Sequence, residues 1–214
     1  MVGCSKVLDL RNLLAERFPQ SVIARNSRIR TGVIPLDQIG GLPTGAITEL
    51  TAPQPGAGSA SLISALLDRA YLDRAFLALI DGRDSFDPQP LGLERLRHLL
   101  WVRCASALQA IKAADLLLRD GNFRLVVLDL VLNAADELRR IPQTTWYRLQ
   151  RLVESSSAAL LVLTHRSLIG SAQWKLRLDN RWMLVDIDRE YAPQRFIIDI
   201  ERVHGARMEF TQAG

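Results

Sequence analysis

The sequence predicts an α/β fold, a mostly parallel sheet flanked by helices with an antiparallel extension toward the C-terminus. Three observations carry that prediction. Strand and helix patterns alternate four or five times between residues 47 and 164, and strands joined through helices pair in parallel by right-handed crossovers. The segments Leu125–Asp129 and Ala158–Thr164 are apolar almost without a break, as strands are when both faces of a sheet are covered. In Lys175–Leu178, Met183–Ile187 and Arg195–Glu201, apolar and polar residues alternate instead, which is the pattern of half-exposed antiparallel strands.

Composition sets the frame. A chain of 214 residues with 48% hydrophobic side chains suits one large domain or a domain with a terminal appendage, and has enough apolar residues for a substantial core. Its apolar runs fall short of the about 20 residues that span a bilayer. Lys6, Asp9 and Arg11 stand where a signal peptide would be uniformly apolar, so a cytoplasmic location is expected. Two cysteines, Cys4 and Cys104, make neither a disulfide framework nor a metal site; Cys104 follows an apolar strand and is expected to be a small buried side chain. A formal charge of +4 permits contact with nucleic acid or an acidic protein without requiring either.

The division expected is an N-terminal helix and linker, residues 1–27, followed by a core domain, residues 28–214. Val7, Leu10, Leu13, Leu14 and Phe18 recur at helical spacing, and Pro19 ends the helix. Such an amphipathic helix either packs on its own core or is offered to another protein, with Val7, Leu10, Leu14 and Phe18 as the docking residues. Turn signals at Gly40-Gly41-Leu42-Pro43 and Thr44-Gly45 lead into a strand at Ile47–Thr51. A helix over Leu62–Tyr71 follows, then a strand at Ala75–Asp81, the turn Gly82-Arg83-Asp84 and a strand at Leu99–Arg103. The next helix, Ala107–Arg119, is expected to bury Leu108, Ile111, Leu116 and Leu118 and to expose Lys112 and Asp115, with Gly121-Asn122 stopping it. After the strand Leu125–Asp129 comes a helix over Thr144–Ser155, then the strand Ala158–Thr164.

Everything turns on the stretch from Ile47 to Leu62. A strand enters a Pro/Gly-rich turn containing Pro53, Gly56, Gly58 and Ser59, and the turn opens a helix. That is the layout which cradles phosphates with free backbone N–H groups. A working loop also needs a Lys for the outer phosphates and a Ser/Thr hydroxyl for Mg²⁺. No Lys or Arg occurs from Thr31 through Asp68. If Ala57 takes the place of the second glycine, Gly58 falls at the Lys position; if Gly58 does, Ser59 falls there and Ala60 replaces the hydroxyl.

The order of segments resembles the RecA-like fold of recombinases. Arg30-Thr31-Gly32, Pro35-Leu36-Asp37, Gly40-Gly41-Leu42-Pro43-Thr44-Gly45 and Thr48-Glu49-Leu50 are similar to the recombinase lead into its phosphate loop. Leu79-Ile80-Asp81-Gly82-Arg83-Asp84-Ser85-Phe86-Asp87-Pro88, then Leu99-Leu100-Trp101, Gln109-Ala110 and Val126-Val127-Leu128-Asp129, continue it, and the resemblance covers roughly residues 28–205. It implies a catalytic glutamate where Arg83 stands and a phosphate-sensing glutamine where Arg166 stands. Asp129 matches the Mg²⁺-side aspartate of the Walker B strand. The loss of several groups of one catalytic unit implies no hydrolysis, no nucleotide cofactor and no metal. The two DNA-binding loops that the resemblance places at 132–144 and 165–174 are short, which argues against strand exchange.

Among degenerate RecA-like families, Trp101-Val102-Arg103 with the run Gln109–Arg119 and Val126–Leu130 most resembles the ImuA group. That resemblance implies an accessory role in SOS-induced translesion mutagenesis, with a RecA-type recombinase, a Y-family-like polymerase partner and an error-prone replicative-type polymerase as partners. Ile47–Leu50 and Leu118–Phe123 are similar to SulA, the division inhibitor that binds the tubulin-like division protein; the longer lead before Ile47 favours the first family.

For single-stranded DNA the candidates are Arg139, Arg140, Arg166, Trp174, Lys175, Arg177 and Arg181. Trp174 and Trp182 bracket three of these cations and have faces that can stack bases, whereas Arg139 and Arg140, with Arg148 and Arg151, form a second basic cluster. The alternative for the tryptophans is core or interface, and for the arginines a solvated face balanced by Asp136, Glu137 and Glu154. His98, His165 and His204 lack metal-ligand spacing, and no His or acid is placed to activate Ser155-Ser156-Ser157.

Overall fold

A computed structural model describes residues 27–54, 56–180 and 196–203. The expected helix over Val7–Phe18 and the strand over Met183–Ile187 lie outside the described residues, as do Arg181 and Trp182.

The chain begins with a small antiparallel ribbon, β1 (Arg28–Ile29) against β2 (Leu42–Pro43), which brackets the short helix α1 (Ile34–Gln38). The main sheet then takes shape from β3 (Ala46–Thr51), β4 (Leu77–Asp81), β5 (Leu99–Arg103), β6 (Leu125–Asp129), β7 (Ala159–Thr164), β8 (Trp174–Leu178) and β9 (Ile198–Val203), in the spatial order β5-β4-β6-β7-β3-β8-β9. Every neighbouring pair is parallel except the last, β8 with β9. Helices α2 (Ser59–Leu72), α3 (Gly92–Leu96), α4 (Ala107–Asp120), α5 (Ala135–Arg139) and α6 (Gln143–Glu154) make the connections. The α/β architecture with its mostly parallel sheet is the one expected.

Side-chain alternation along the strands divides the interior into two cores. Leu77, Leu79, Val127, Leu161 and Leu163 point to one face and meet Leu62, Ile63, Leu66 and Leu67 of α2. Ala78, Ile80, Val126, Leu128, Leu160 and Val162 point to the other, under α4 and α6. Strands β4, β6 and β7 are thus apolar at every position but the last, because each side chain has a helix above or below it. Cys104 lies buried in the second core, as expected, and burial pushes its thiol pKa up. Among the described residues no helix is long and apolar enough to cross a membrane.

Two sequence expectations need correction. In α4 the buried stripe is Ala107, Ala110, Ile111, Ala114 and Leu118, while Leu108 and Leu116 are 60% and 67% exposed. Small side chains along most of the stripe let the helix lie close to the sheet, and Leu108 and Leu116 fall outside that stripe. Asp115 is not freely exposed either: its carboxylate accepts a hydrogen bond from Arg119 and ion-pairs with Arg148 of α6. The second correction concerns Lys175–Leu178. This strand runs antiparallel to β9, as the alternation suggested, but parallel to β3 on its other side, so it completes the parallel part of the sheet and its apolar residues Trp174, Leu176 and Leu178 are core.

Candidate functional site

Parallel register brings the C-terminal strand ends into line, the edge where open α/β sheets present their binding crevices. Thr51 stands opposite Thr164, Asp81 opposite both Arg103 and Asp129, and Asp129 opposite Leu163.

The loop between β3 and α2 leaves this edge. Ala52 N–H donates to the Thr164 carbonyl at 2.7 Å, and Ala57 N–H to the Gln54 carbonyl at 3.1 Å. Gly58 caps the helix with φ 97°, a left-handed conformation in which a side chain is strained, and Ser59 begins α2. Pro53 and Gly56 are exposed, but Ala57 is buried. The loop is held from behind by Asn180, 2% exposed, whose amide donates to the Ala57 carbonyl at 3.0 Å while its oxygen accepts from Ile197 N–H at 2.6 Å. Sequence reasoning missed Asn180, which carries no local signal beyond its place just after a strand. The first turn of α2 holds no acidic residue, and no Lys or Arg stands between Thr31 and Asp68.

Asp81, buried at the end of β4, organises the following turn. Its carboxylate accepts from the backbone N–H groups of Arg83 (3.2 Å), Ser85 (2.8 Å) and Phe86 (2.8 Å), and from the Trp101 indole N–H at 3.4 Å. Gly82 next to it is a close approach: a Cβ there would lie 2.3 Å from Asn133 Oδ1 and 2.7 Å from the Asp129 carbonyl. Asn133, also buried, donates its amide to the Gly82 carbonyl and to Glu137, and Glu137 accepts from Ala107 N–H at 2.6 Å. These hydrogen bonds fasten the end of β4 to α5 and to the start of α4. Neither Asn133 nor Glu137 stood out in the sequence as part of them.

Asp129 closes β6, with Oδ1 accepting from Val131 N–H at 3.0 Å. Its carboxyl pKa is pushed up to about 6, first by burial, with the charge of Asp81 adding to the shift and the Val131 hydrogen bond opposing it. Arg83 is exposed and reaches the Ala105 carbonyl at 3.4 Å, while Arg166 donates to the Ala135 carbonyl at 3.1 Å. At the two positions where the resemblance implies a glutamate and a glutamine, guanidinium groups therefore tie loops to backbone carbonyls. Among the described residues no cluster of three or more His, Cys, Asp or Glu could hold a metal ion.

The candidate DNA contacts separate into occupied and open groups. Trp174 is 4% exposed and packed in the core, with the Arg28 guanidinium 4.7 Å from its ring centroid; its ring has no face to offer a base. Lys175 is drawn inward to Glu49, a fully buried residue in the middle of β3, at 3.2 Å, and donates to Ser167 Oγ at 2.7 Å. Glu49 also accepts from Leu168 N–H (2.6 Å), Ile169 N–H (3.0 Å) and Ser167 Oγ (3.1 Å), so the short loop after β7 is pinned to the sheet. Arg139 pairs with Asp136, and Arg177 lies 3.6 Å from Asp179. Arg140 and Arg177 remain on the exposed surface; Arg181 is outside the described residues.

No family model matches the chain. The chain is 34% identical over 122 residues to protein RecA of Clavibacter michiganensis subsp. michiganensis, a stretch covering 54% of this chain and 32% of that protein. It is 32% identical over 109 residues to RecA of Chlorobaculum tepidum, covering 48% and 31%, and 30% identical over 121 residues to RecA of Acinetobacter baumannii, covering 54% and 34%. The chain thus spans about a third of the length of the curated relatives it matches. These distant matches support membership of the RecA-like superfamily, and the mostly parallel seven-stranded sheet is consistent with a RecA-like fold.

Proposed function

We propose, starting from the chain's place in the RecA-like superfamily, that it is a non-catalytic accessory protein of damage-induced, error-prone translesion DNA synthesis, bridging a recombinase on DNA and a mutagenic polymerase complex. The observation that carries this reading is a phosphate loop that keeps its strand, glycine turn and helix but has no cation in reach of a phosphate in its own segment. Backbone donors and the helix dipole alone contribute about 1–2 kcal/mol to holding an anion, too little to retain a nucleotide. Arg83 and Arg166, engaged with backbone carbonyls, support the same conclusion, because neither can place an attacking water as a carboxylate or amide would. Similarity to RecA suggests a DNA-repair setting.

In this reading Asp129 is a structural remnant, closing a turn through Val131 N–H. Contact with single-stranded DNA is weak and falls to the exposed cations, Arg140 and Arg177 first. The partners are a RecA-type recombinase, a Y-family-like polymerase partner and an error-prone replicative-type polymerase, with Val7, Leu10, Leu14 and Phe18 as the recombinase-docking residues. The test is co-purification of the tagged full chain from DNA-damaged cells, with identification of bound proteins. Polymerase and recombinase subunits are the expected outcome; recovery of the tubulin-like division protein instead would replace this reading with that of a SulA-like division inhibitor.

A further inference from the structure

The outer face of α4 combines features that the fold itself does not use. Leu108 and Leu116 are 60% and 67% exposed, and Lys112 between them is exposed as well. Residues spaced by four form a ridge along a helix, and the two leucines stand about 12 Å apart along the axis, just over two turns. Two large aliphatic side chains on one surface ridge exceed what the buried alanine stripe of this helix needs, since that stripe already seats it on the sheet.

Charge around the ridge is one-sided. Arg119 of α4 and Arg148 of α6 flank it, both more than half exposed, and both are directed at the single carboxylate of Asp115. Lys112 and Arg151 add two further exposed cations. Arg119 and Arg148 thus share one acid, while Lys112 and Arg151 stand exposed on the same two helices. The other acid of α6, Glu154, sits toward the opposite flank, where it accepts from Gln150 Nε2 and its backbone adjoins Gly45; Asp120, at the far end of α4, accepts from Asn122.

We propose that this ridge docks an acidic amphipathic helix of a partner protein, with two apolar residues two turns apart on the partner covering Leu108 and Leu116 and its carboxylates meeting Lys112, Arg148 and Arg151. Charge complementarity selects the occupant. A second copy of this surface would set cation against cation. A nucleic acid would answer the charge but leave the leucines in water, because aliphatic side chains provide no stacking platform. The docking face belongs to α4 and its α6 neighbour, on the side of the sheet opposite α2 and the phosphate loop, and does not depend on the accessory role above.

The test uses the full chain and a fluorescein-labelled, stapled Glu/Leu helix of about 18 residues, stapled because free helices of that length are marginal in water. Its leucines repeat at i, i+4 and i+7. A Lys/Leu peptide of the same pattern and an oligothymidine of similar length serve as competitors, with anisotropy as the readout. The Glu/Leu helix is expected to bind about tenfold or more tightly than either competitor, and the affinity to fall by about tenfold or more in L108S/L116S and in K112E/R151E, while the thermal melts of both variants stay unchanged. Equal binding of both peptides, or indifference to L108S/L116S with the fold intact, would overturn the proposal. So would oligothymidine binding that is abolished in K112E/R151E with no peptide binding, since the face would then be a nucleic-acid surface.

Discussion

Replacing Glu49 tests whether the Lys175 cation belongs to the fold or to a ligand. Glu49 is fully buried, and its carboxylate accepts from two backbone N–H groups, a serine hydroxyl and the Lys175 ammonium at 2.6 to 3.2 Å. Glu49→Ala leaves two N–H groups and a largely buried ammonium without that acceptor. Breaking a buried pair from one side costs about 3–5 kcal/mol. For a domain of this size that corresponds to a drop in Tm of about 6–20 °C. Glu49→Gln keeps an oxygen for the Leu168 and Ile169 N–H groups but turns an amide toward the ammonium, so its destabilisation should be smaller, about 1–3 kcal/mol, the scale of one charge-assisted hydrogen bond. Lys175→Met leaves the carboxylate without its counter-ion. The double variant E49Q/K175M should then be less destabilised than the sum of the two single changes, by about 0.5–3 kcal/mol. Differential scanning calorimetry on the four proteins provides the cycle. A change in Tm below about 2 °C for Glu49→Ala, or strict additivity in the double variant, would refute the buried-network argument.

Trp174→Ala should destabilise the protein by about 3–5 kcal/mol in chemical denaturation, as truncation of a core aromatic does, and a surface-like change below about 0.5 kcal/mol would contradict its placement in the core. Asp129 gives a pH signature. Its folded-state pKa is raised from 3.8 to about 6, so between those values the folded state binds the proton more tightly and stability falls as pH rises through that window. The deficit, about 3 kcal/mol in full, persists at neutral pH. Asp129→Asn should therefore be more stable than the wild type near neutral pH, with the advantage vanishing below about pH 4; an equal difference at both pH values would count against the assignment. Gly82→Ala drives a methyl group against Asn133 Oδ1 and the Asp129 carbonyl and should cost about 1–3 kcal/mol or more. Finally, R140E/R177E should lower the log–log salt dependence of single-strand binding by about 0.7 for each phosphate that these arginines neutralise, and an unchanged slope would remove them from the DNA surface.

What the sequence made legible was whatever is local or periodic. The doubly covered strands Leu125–Asp129 and Ala159–Thr164 announce themselves by continuous apolar residues, and the phosphate-loop turn by its glycines. Long-range pairing is where legibility ended. Lys175 reads as a surface cation because its partner Glu49 lies on a distant stretch of chain, brought beside it only when β8 pairs with β3. The cations around Trp174 in the sequence suggest a surface site, yet its alternate position on β8 puts it in the core with Leu176 and Leu178. In α4 residue size alone points to Leu108 and Leu116, whereas the buried stripe Ala107, Ala110, Ile111, Ala114 and Leu118 follows the 3.6-residue period better. Asn133, Glu137 and Asn180 act through hydrogen bonds to backbone groups far along the chain, and no local pattern marks such pairings.

The loop between β3 and α2 keeps the backbone of a phosphate cradle without a cation in its segment, and the proposed non-catalytic role rests on that combination. Calorimetric titration of the full chain with ATP in the presence of Mg²⁺ tests it most directly. No heat of binding beyond dilution is expected at micromolar ATP, and no release of phosphate over a long incubation. A saturable isotherm with a dissociation constant in the low micromolar range would contradict that expectation, and would mean that a cation from outside the segment between Thr31 and Asp68 reaches the phosphates.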